Sequence, residues 1–244
     1  MTRPGGIEVN TFTFLARCPR TGQLGVAITT RTIAVGQRCT YIAAPHGIVV
    51  AQATVNPTLG LLGARLLEQR YPAPRVLDEM AASDEHVEYR QLAVDDGDGR
   101  AVARTGKDNR AWAGHLVGEG WVAMGNVLLG EHVVKAMGHA FTAAAAAPFD
   151  ERLLRAIEAG RDAGGQHGGQ RSAGLLIHDV RGGVPVLDLR VDEHREPVGE
   201  LRRIHALFQP LLPYYEQMRL NPVGLPPYDR WLEQQTGNAA SNLI

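Results

Sequence analysis

Cysteine is scarce in this chain: Cys18 and Cys39 are the two present in 244 residues, and no Cys-x-x-Cys occurs. That excludes a disulfide framework and a thiolate metal cluster, and two free thiols fit a reducing, cytoplasmic compartment. Long apolar runs are missing too. Nothing approaches the ~18 residues of a membrane span, and the opening MTRPGGIEVN lacks the apolar stretch of a secretory signal. Neither sign of charge is in excess, since 25 Lys and Arg face 26 Asp and Glu for a formal net charge of −1. This argues against a whole-domain basic footprint for nucleic acid and against adsorption to an anionic membrane. No P-loop, Gly-x-Ser-x-Gly, His-Glu-x-x-His or Rossmann fingerprint occurs, and no repeat recurs at solenoid periods.

What is present is an ordinary globular composition, 44% hydrophobic and 21% charged, on a chain long enough to bury roughly three-quarters of its unfolded surface without a staple. Residues 9–17 alternate, with Val9, Thr11, Thr13 and Leu15 on one face and Phe12, Phe14 and Ala16 on the other. The turn Pro19 to Gly22 leads to a second β-rich run, Leu24 to Thr30, so the two form a hairpin. Further strands are expected at Cys39 to Ala44, Ile48 to Thr54, Tyr89 to Val94, Ala101 to Arg104, Trp112 to Val117 and Trp121 to Gly125. A last pair, Ser172 to His178 and Val184 to Val191, turns at Arg181-Gly-Gly183. Helical spacing covers Leu59 to Arg70, Ala73 to Ala82 and Glu131 to Ala145. It recurs at Asp150 to Ala159, stopped by Gly160 as a C-cap, and after Pro197, with kinks at Pro210 and Pro213. The tail beyond Met218 reads as loose. Strands and helices both come in adjacent pairs, which predicts α+β architecture with antiparallel sheets under helical layers rather than a doubly wound parallel fold.

Chemistry is harder to read from pattern. His132 and His139 stand two helical turns apart, and Asp192 and His194 alternate at a strand end; neither is a zinc spacing, so no metal and no cofactor are expected. The loop Gly164-Gly-Gln-His-Gly-Gly169 leads into a strand rather than a helix, so it reads as a flexible loop more than an anion cradle. Asp188, Arg190 and Asp192 share one strand face and fit either a polar-substrate site or an ion-pair ladder. Trp112 and Trp121 read as core or pocket wall. By itself Thr11 is an ordinary strand threonine.

Several segments in order, however, resemble a known family. They are Thr11-Phe-Thr-Phe-Leu-Ala-Arg17, Thr21-Gly-Gln-Leu-Gly-Val-Ala-Ile28, Ala34-Val-Gly36, Gln52 with Asn56-Pro57, Trp112-Ala-Gly-His115, Gly125-Asn126, Gln170-Arg-Ser-Ala173 and Asp188-Leu-Arg-Val-Asp192. Together they resemble the domain-of-unknown-function family 1028, of the N-terminal-nucleophile (Ntn) hydrolase superfamily. The resemblance implies a four-layer αββα sandwich of two antiparallel sheets. It also implies a hydrolase of small C–N (amide) substrates other than peptide bonds, with Thr11 as nucleophile and its own α-amine as base.

In this chain ten residues precede Thr11, so the resemblance implies cleavage of the Asn10–Thr11 bond. The expected organisation is a leader over 1–10, one domain over 11–220 and a C-terminal tail over 221–244. Arg31 is expected to lower the amine's pKa or orient substrate. Asn56, His115 and Asn126 are expected to supply oxyanion donors or substrate contacts, with Ser172 and Asp188 bonding the Thr11 amine. The expected partner is a small-molecule substrate, on a chain that forms a homo-oligomer. Two other readings stand beside this one: a non-catalytic small-molecule binding protein on the same scaffold, and a metal-dependent hydrolase using His115 or His194.

Overall fold

The structure, a computed structural model, describes residues 10–110, 112–180 and 184–236. The expected leader, apart from Asn10, and the expected turn at Arg181-Gly-Gly183 lie outside the described residues.

The described chain opens with strands β1 (Thr11–Arg17) and β2 (Leu24–Thr30). They form the expected antiparallel hairpin, pairing Thr11 with Thr30 and Arg17 with Leu24. Gly22 takes a φ of +75° in the turn, the left-handed conformation that favours glycine. Then come β3 (Thr40–Ala43), β4 (Gly47–Ala53), helix α1 (Pro57–Glu68) and helix α2 (Ala73–Ala82). Four strands follow: β5 (Arg90–Asp96), β6 (Ala101–Thr105), β7 (Trp112–Gly118) and β8 (Trp121–Leu128). Helices α3 (Glu131–Ala143) and α4 (Phe149–Asp162) lead to β9 (Ser172–His178) and β10 (Pro185–Val191). Helices α5 (Pro197–Phe208), α6 (Leu212–Leu220) and α7 (Tyr228–Thr236) close the described chain.

The strands build a six-stranded sheet in the order β10-β9-β2-β1-β8-β7 and a four-stranded sheet in the order β3-β4-β5-β6. Every pairing is antiparallel. The alternation in β1 sorts its side chains. Leu15 joins Val26 and Ile28 of β2, Val50 of β4, Ala93 of β5 and Met124 of β8 in one apolar core shared by both sheets. Phe12 and Phe14 take the opposite face, where Phe14 lies against Trp121 (5.3 Å between ring centroids) and Phe141 of α3 (4.6 Å). Helices α3 and α4 pack on the six-stranded sheet, α1 and α2 on the four-stranded one. Full burial of each such aliphatic or aromatic side chain contributes about 1.5–3 kcal/mol, so the alternating pattern fixes which face of each strand turns inward.

The chain divides into two compact units, the first ending at Leu201 and the second starting at Arg202. The second has an apolar cluster of its own, Tyr214, Trp231 and Leu232, with Tyr214 and Trp231 rings 5.2 Å apart. The expected loose tail therefore carries a helix, α7. A 3₁₀ turn over Gln209–Leu211 separates α5 from α6, a break caused by Pro210 and Pro213, which cannot continue a helical ladder. Gly160 is not a C-cap: α4 runs on to Asp162, and a Cβ at Gly160 would lie 2.8 Å from Met137 and 3.0 Å from Phe12. Glycine is there to let α4 approach its neighbours closely. Among the described residues no helix is long and apolar enough to cross a membrane.

Candidate functional site

Thr11 begins β1, the strand flanked by β2 and β8, and so stands between Thr30 and Asn126 in register. It projects on the same face as Thr13 and Leu15, toward the four-stranded sheet. At this end the space between the sheets is unfilled, leaving a cavity of about 430 Å³. Thr11, Thr30, Asn126 and Val127 line it from the six-stranded sheet, and Ala53 and Tyr89 from the other. The segment after β2 adds Arg38 and Cys39, and the segment before β7 adds Asp108 and Arg110.

The hydrogen bonds around Thr11 fix their own direction. The Thr30 hydroxyl donates to the Asn10 carbonyl oxygen at 2.7 Å. Its single proton is thereby used, so across the 2.9 Å contact between the two hydroxyls Thr11 donates to Thr30. The Arg31 backbone N–H also donates to the Asn10 carbonyl, at 3.0 Å. The carbonyl preceding Thr11 is thus held by two donors, with the Thr11 hydroxyl beside it.

Asn10 is fully buried. Its side-chain amide donates to the His167 carbonyl, while its Oδ1 has no partner. The glycine loop read as flexible is tied down, because His167 N donates to the Val127 carbonyl at 2.9 Å and Leu129 N to the Gly165 carbonyl at 3.1 Å.

A buried polar network joins the two sheets below the cavity. Thr13 Oγ1 donates to Gln52 Oε1 at 2.6 Å, and Gln52 Nε2 donates to Gln91 Oε1 at 3.1 Å. Asn126 Nδ2 donates to the same Gln91 oxygen at 3.0 Å, leaving its second N–H for another acceptor. Gln91 Nε2 donates onward to the Gly125 carbonyl at 2.8 Å. Unpaired, such buried amides would cost roughly 1–3 kcal/mol each; paired, they fix the orientation of Asn126. Two cavity-lining residues have left-handed backbones without being glycine, Ala53 at φ +73° and the β-branched Val127 at φ +55°. Strain of this kind costs about 1–3 kcal/mol each and gathers at functional sites.

The cavity wall is braced by a buried ion pair, Arg90 Nε to Asp84 Oδ2 at 2.9 Å. Burial alone would raise the Asp84 carboxyl, but Arg90, the His86 N–H and the Asn56 amide hold it below its usual value. Arg90 also donates to the Thr54 carbonyl, on the cavity rim. Burial pushes the Cys39 thiol up to about 12 against an opposing pull from the Arg38 charge, so Cys39 is a neutral wall group.

Of the residues expected from sequence, Thr11 and Asn126 share the cavity. Arg31 reaches the Asn10 carbonyl only through its backbone; its guanidinium stands over Gly168, where a Cβ would lie 2.3 Å away. Ser172 holds the segment after β2, donating to the Thr32 carbonyl at 2.7 Å and accepting from Val35 N at 3.1 Å. Asn56 caps α1, its Oδ1 accepting from the Thr58 N–H at 3.2 Å. His115 Nδ1 bonds the Thr105 hydroxyl at 2.9 Å. Asp188, three strands from β1, forms a two-bond pair with Arg190 at 2.7 Å for each bond. None of these last four lines the cavity.

Sequence reading missed Thr30, Arg38, Gln91 and Arg110. The hairpin register alone would have placed Thr30 opposite Thr11. Gln91 sits on the apolar-facing side of β5, a polar residue where the alternation calls for an apolar one. Arg38 ends a short 3₁₀ turn, Gly36–Arg38, and Arg110 lies in a loop, and neither carries such a signal. Among the described residues no group of three or more His, Cys, Asp or Glu is arranged to hold a metal ion.

Fold and site define a mixed α+β protein of two antiparallel sheets with a cavity at the start of its first strand. A family of unknown function, DUF1028, matches residues 11–201, and the chain belongs to that family. The match ends where the first compact unit ends. The crystal structure of protein SPO2555 from Silicibacter pomeroyi, which carries the same family model, is similar at 30% identity with a TM-score of 0.75. The similarity covers 82% of this chain and 86% of that one. No curated protein matches the chain.

Proposed function

We propose that this chain is an Ntn-type hydrolase of a small amide, with Thr11 as nucleophile. In this reading the helices on the outer faces of the two sheets make the four-layer αββα sandwich of that superfamily. One observation carries the proposal: the Thr11 hydroxyl lines a cavity of enzyme-site size and lies beside a carbonyl already held by two donors.

Maturation follows from those bonds. Thr11 Oγ attacks the Asn10 carbonyl carbon, and the negative charge that forms on Asn10 O is stabilised by the Thr30 hydroxyl and the Arg31 N–H. The proton given up by Thr11 Oγ passes to the Thr11 nitrogen as the C–N bond breaks, leaving Asn10 as an ester on Thr11 Oγ. Water hydrolyses the ester, releasing residues 1–10 with a carboxylate and exposing the Thr11 amine. In turnover that amine accepts the hydroxyl proton as Oγ attacks the substrate carbonyl, then delivers it to the leaving nitrogen. Asn126, with one N–H uncommitted, fits the role of donor to the substrate oxyanion. Water cleaves the acyl ester and resets the site.

The test is hydrolysis of a panel of small amides by wild type, Thr11→Ser and Thr11→Ala. Wild type and Thr11→Ser should release amine, and Thr11→Ala should not. Undiminished turnover in Thr11→Ala would remove Thr11 as nucleophile and bring forward the binding-protein reading.

A further inference from the structure

Asn10 is fully buried, although it belongs to the segment that the proposed cleavage discards. Both of its ends are held by groups that the cleavage leaves behind. Its carbonyl accepts from the Thr30 hydroxyl at 2.7 Å and the Arg31 N–H at 3.0 Å. Its side-chain amide donates to the His167 carbonyl. The loop that carries His167 is fixed by bonds of its own, from His167 N to the Val127 carbonyl at 2.9 Å and from Gln166 Nε2 to the Gly169 carbonyl at 2.7 Å. No described group donates to Asn10 Oδ1. The socket thus reads the NH₂ of a carboxamide and offers nothing to its oxygen. An aspartate of the same shape would set an oxygen against the His167 carbonyl and bury a charge with no donor. A leucine would leave that carbonyl without its hydrogen bond. Each leaves a buried polar group unpaired, which weakens binding.

Release of residues 1–10 uncovers two donors, the Thr30 hydroxyl and the Arg31 N–H, and one acceptor, the His167 carbonyl. They are spaced as an asparagine residue spaces its complements, and the freed Thr11 amine stands where the Asn10–Thr11 bond had been. We propose that in the cut chain this socket binds an asparaginyl group, so that the substrates are amides whose acyl part is an asparagine residue. The side-chain carboxamide donates to His167, and Thr30 and Arg31 join Asn126 as donors to the acyl carbonyl. The ester formed on Thr11 Oγ in turnover is then the same group as the Asn10 ester of maturation. This rests on the hydrolase reading for vacating the socket, but recognition can be read without self-cleavage or turnover.

The experiment starts from the full chain with Thr11→Ala, which stays uncut, and adds Asn10→Gly to empty the side-chain half of the socket. Acetamide is the asparagine side chain from its Cβ onward. It should raise the melting temperature of the double variant by about 2 °C or more beyond its effect on Thr11→Ala alone, whose own Asn10 fills the socket. Acetate, the aspartate counterpart, should give no such difference. The chain freed at Thr11 from an N-terminal fusion is then titrated calorimetrically with N-acetyl-L-asparagine, N-acetyl-L-aspartate and N-acetyl-L-leucine. The first should bind at least about ten-fold more tightly than either of the others. No added response to acetamide, an equal one to acetate, equal affinities of the three acids, or no binding of N-acetyl-L-asparagine would each overturn the inference. If the freed chain does not fold, the acetamide response decides alone. A wild-type chain that shows these preferences once freed but never cuts itself would instead count against the hydrolase reading alone. Self-cleavage without the preferences would count against the inference alone.

Discussion

The Thr30 hydroxyl sits between two groups that the proposed cleavage uses together, accepting from Thr11 and donating to Asn10. In the proposed cleavage its role is that of an oxyanion donor, not that of a buried threonine kept for strand propensity. Replacing it with valine preserves shape and β-branching and removes one hydroxyl, so stability should change by only about 1 kcal/mol. Loss of one oxyanion donor typically slows a reaction on the order of a hundred-fold. Thr30→Val should therefore fold normally and release residues 1–10 far more slowly, as read by a time course of chain length after synthesis. Cleavage at the wild-type rate would show that the Arg31 N–H suffices. At this scale the sequence was half legible. Thr11 emerged only through resemblance, since a strand threonine carries no chemical mark. Arg31 was singled out for its guanidinium, but it meets the site through a backbone N–H, which no side-chain pattern encodes.

At the scale of elements, alternation and helical spacing located the strands and most helix bounds, because each element buries one face and the period records it. What they did not convey is how closely elements approach. Gly60 in α1 shows this: a Cβ there would lie 1.9 Å from the ring of Tyr41 on β3. Alanine is favoured over glycine inside a helix by about 1 kcal/mol, but overpacking against a ring costs about 1–3 kcal/mol. Contact should win, so Gly60→Ala should lower stability by up to about 2 kcal/mol in denaturant titration. A stabilised variant would mean that Tyr41 moves aside freely. Gly160, read from sequence as a helix end, is the same device inside α4.

At the scale of the whole molecule, one buried carboxyl stands out among the described residues. Asp95 on β5 is fully buried and neither carboxyl oxygen has a partner. Burial, reinforced by neighbouring Asp96 and opposed by Arg17, raises it from 3.8 to about 7. Between those two pH values the folded chain holds a proton that the unfolded chain releases, so stability should fall as pH rises through that window and level off above it. At about 1.4 kcal/mol per unit, the loss is on the order of 4 kcal/mol. Asp95→Asn should flatten that slope in melting experiments from pH 4 to 8. An unchanged slope would assign it to other groups. Nothing in the sequence separates unpaired Asp95 from Asp96, which is buried with Arg100 as partner, or from exposed Asp98 in the Asp-Asp-Gly-Asp-Gly run; only the sheet pairing turns it inward.

The central claim is that Thr11 becomes the first residue of the active chain. The intact mass of protein made in its native host tests it most directly. Wild type is predicted to lack residues 1–10 and begin at Thr11, while Thr11→Ala keeps its full length. A full-length wild-type chain that hydrolyses an amide, or a Thr11→Ala chain cut at the same bond, would contradict it.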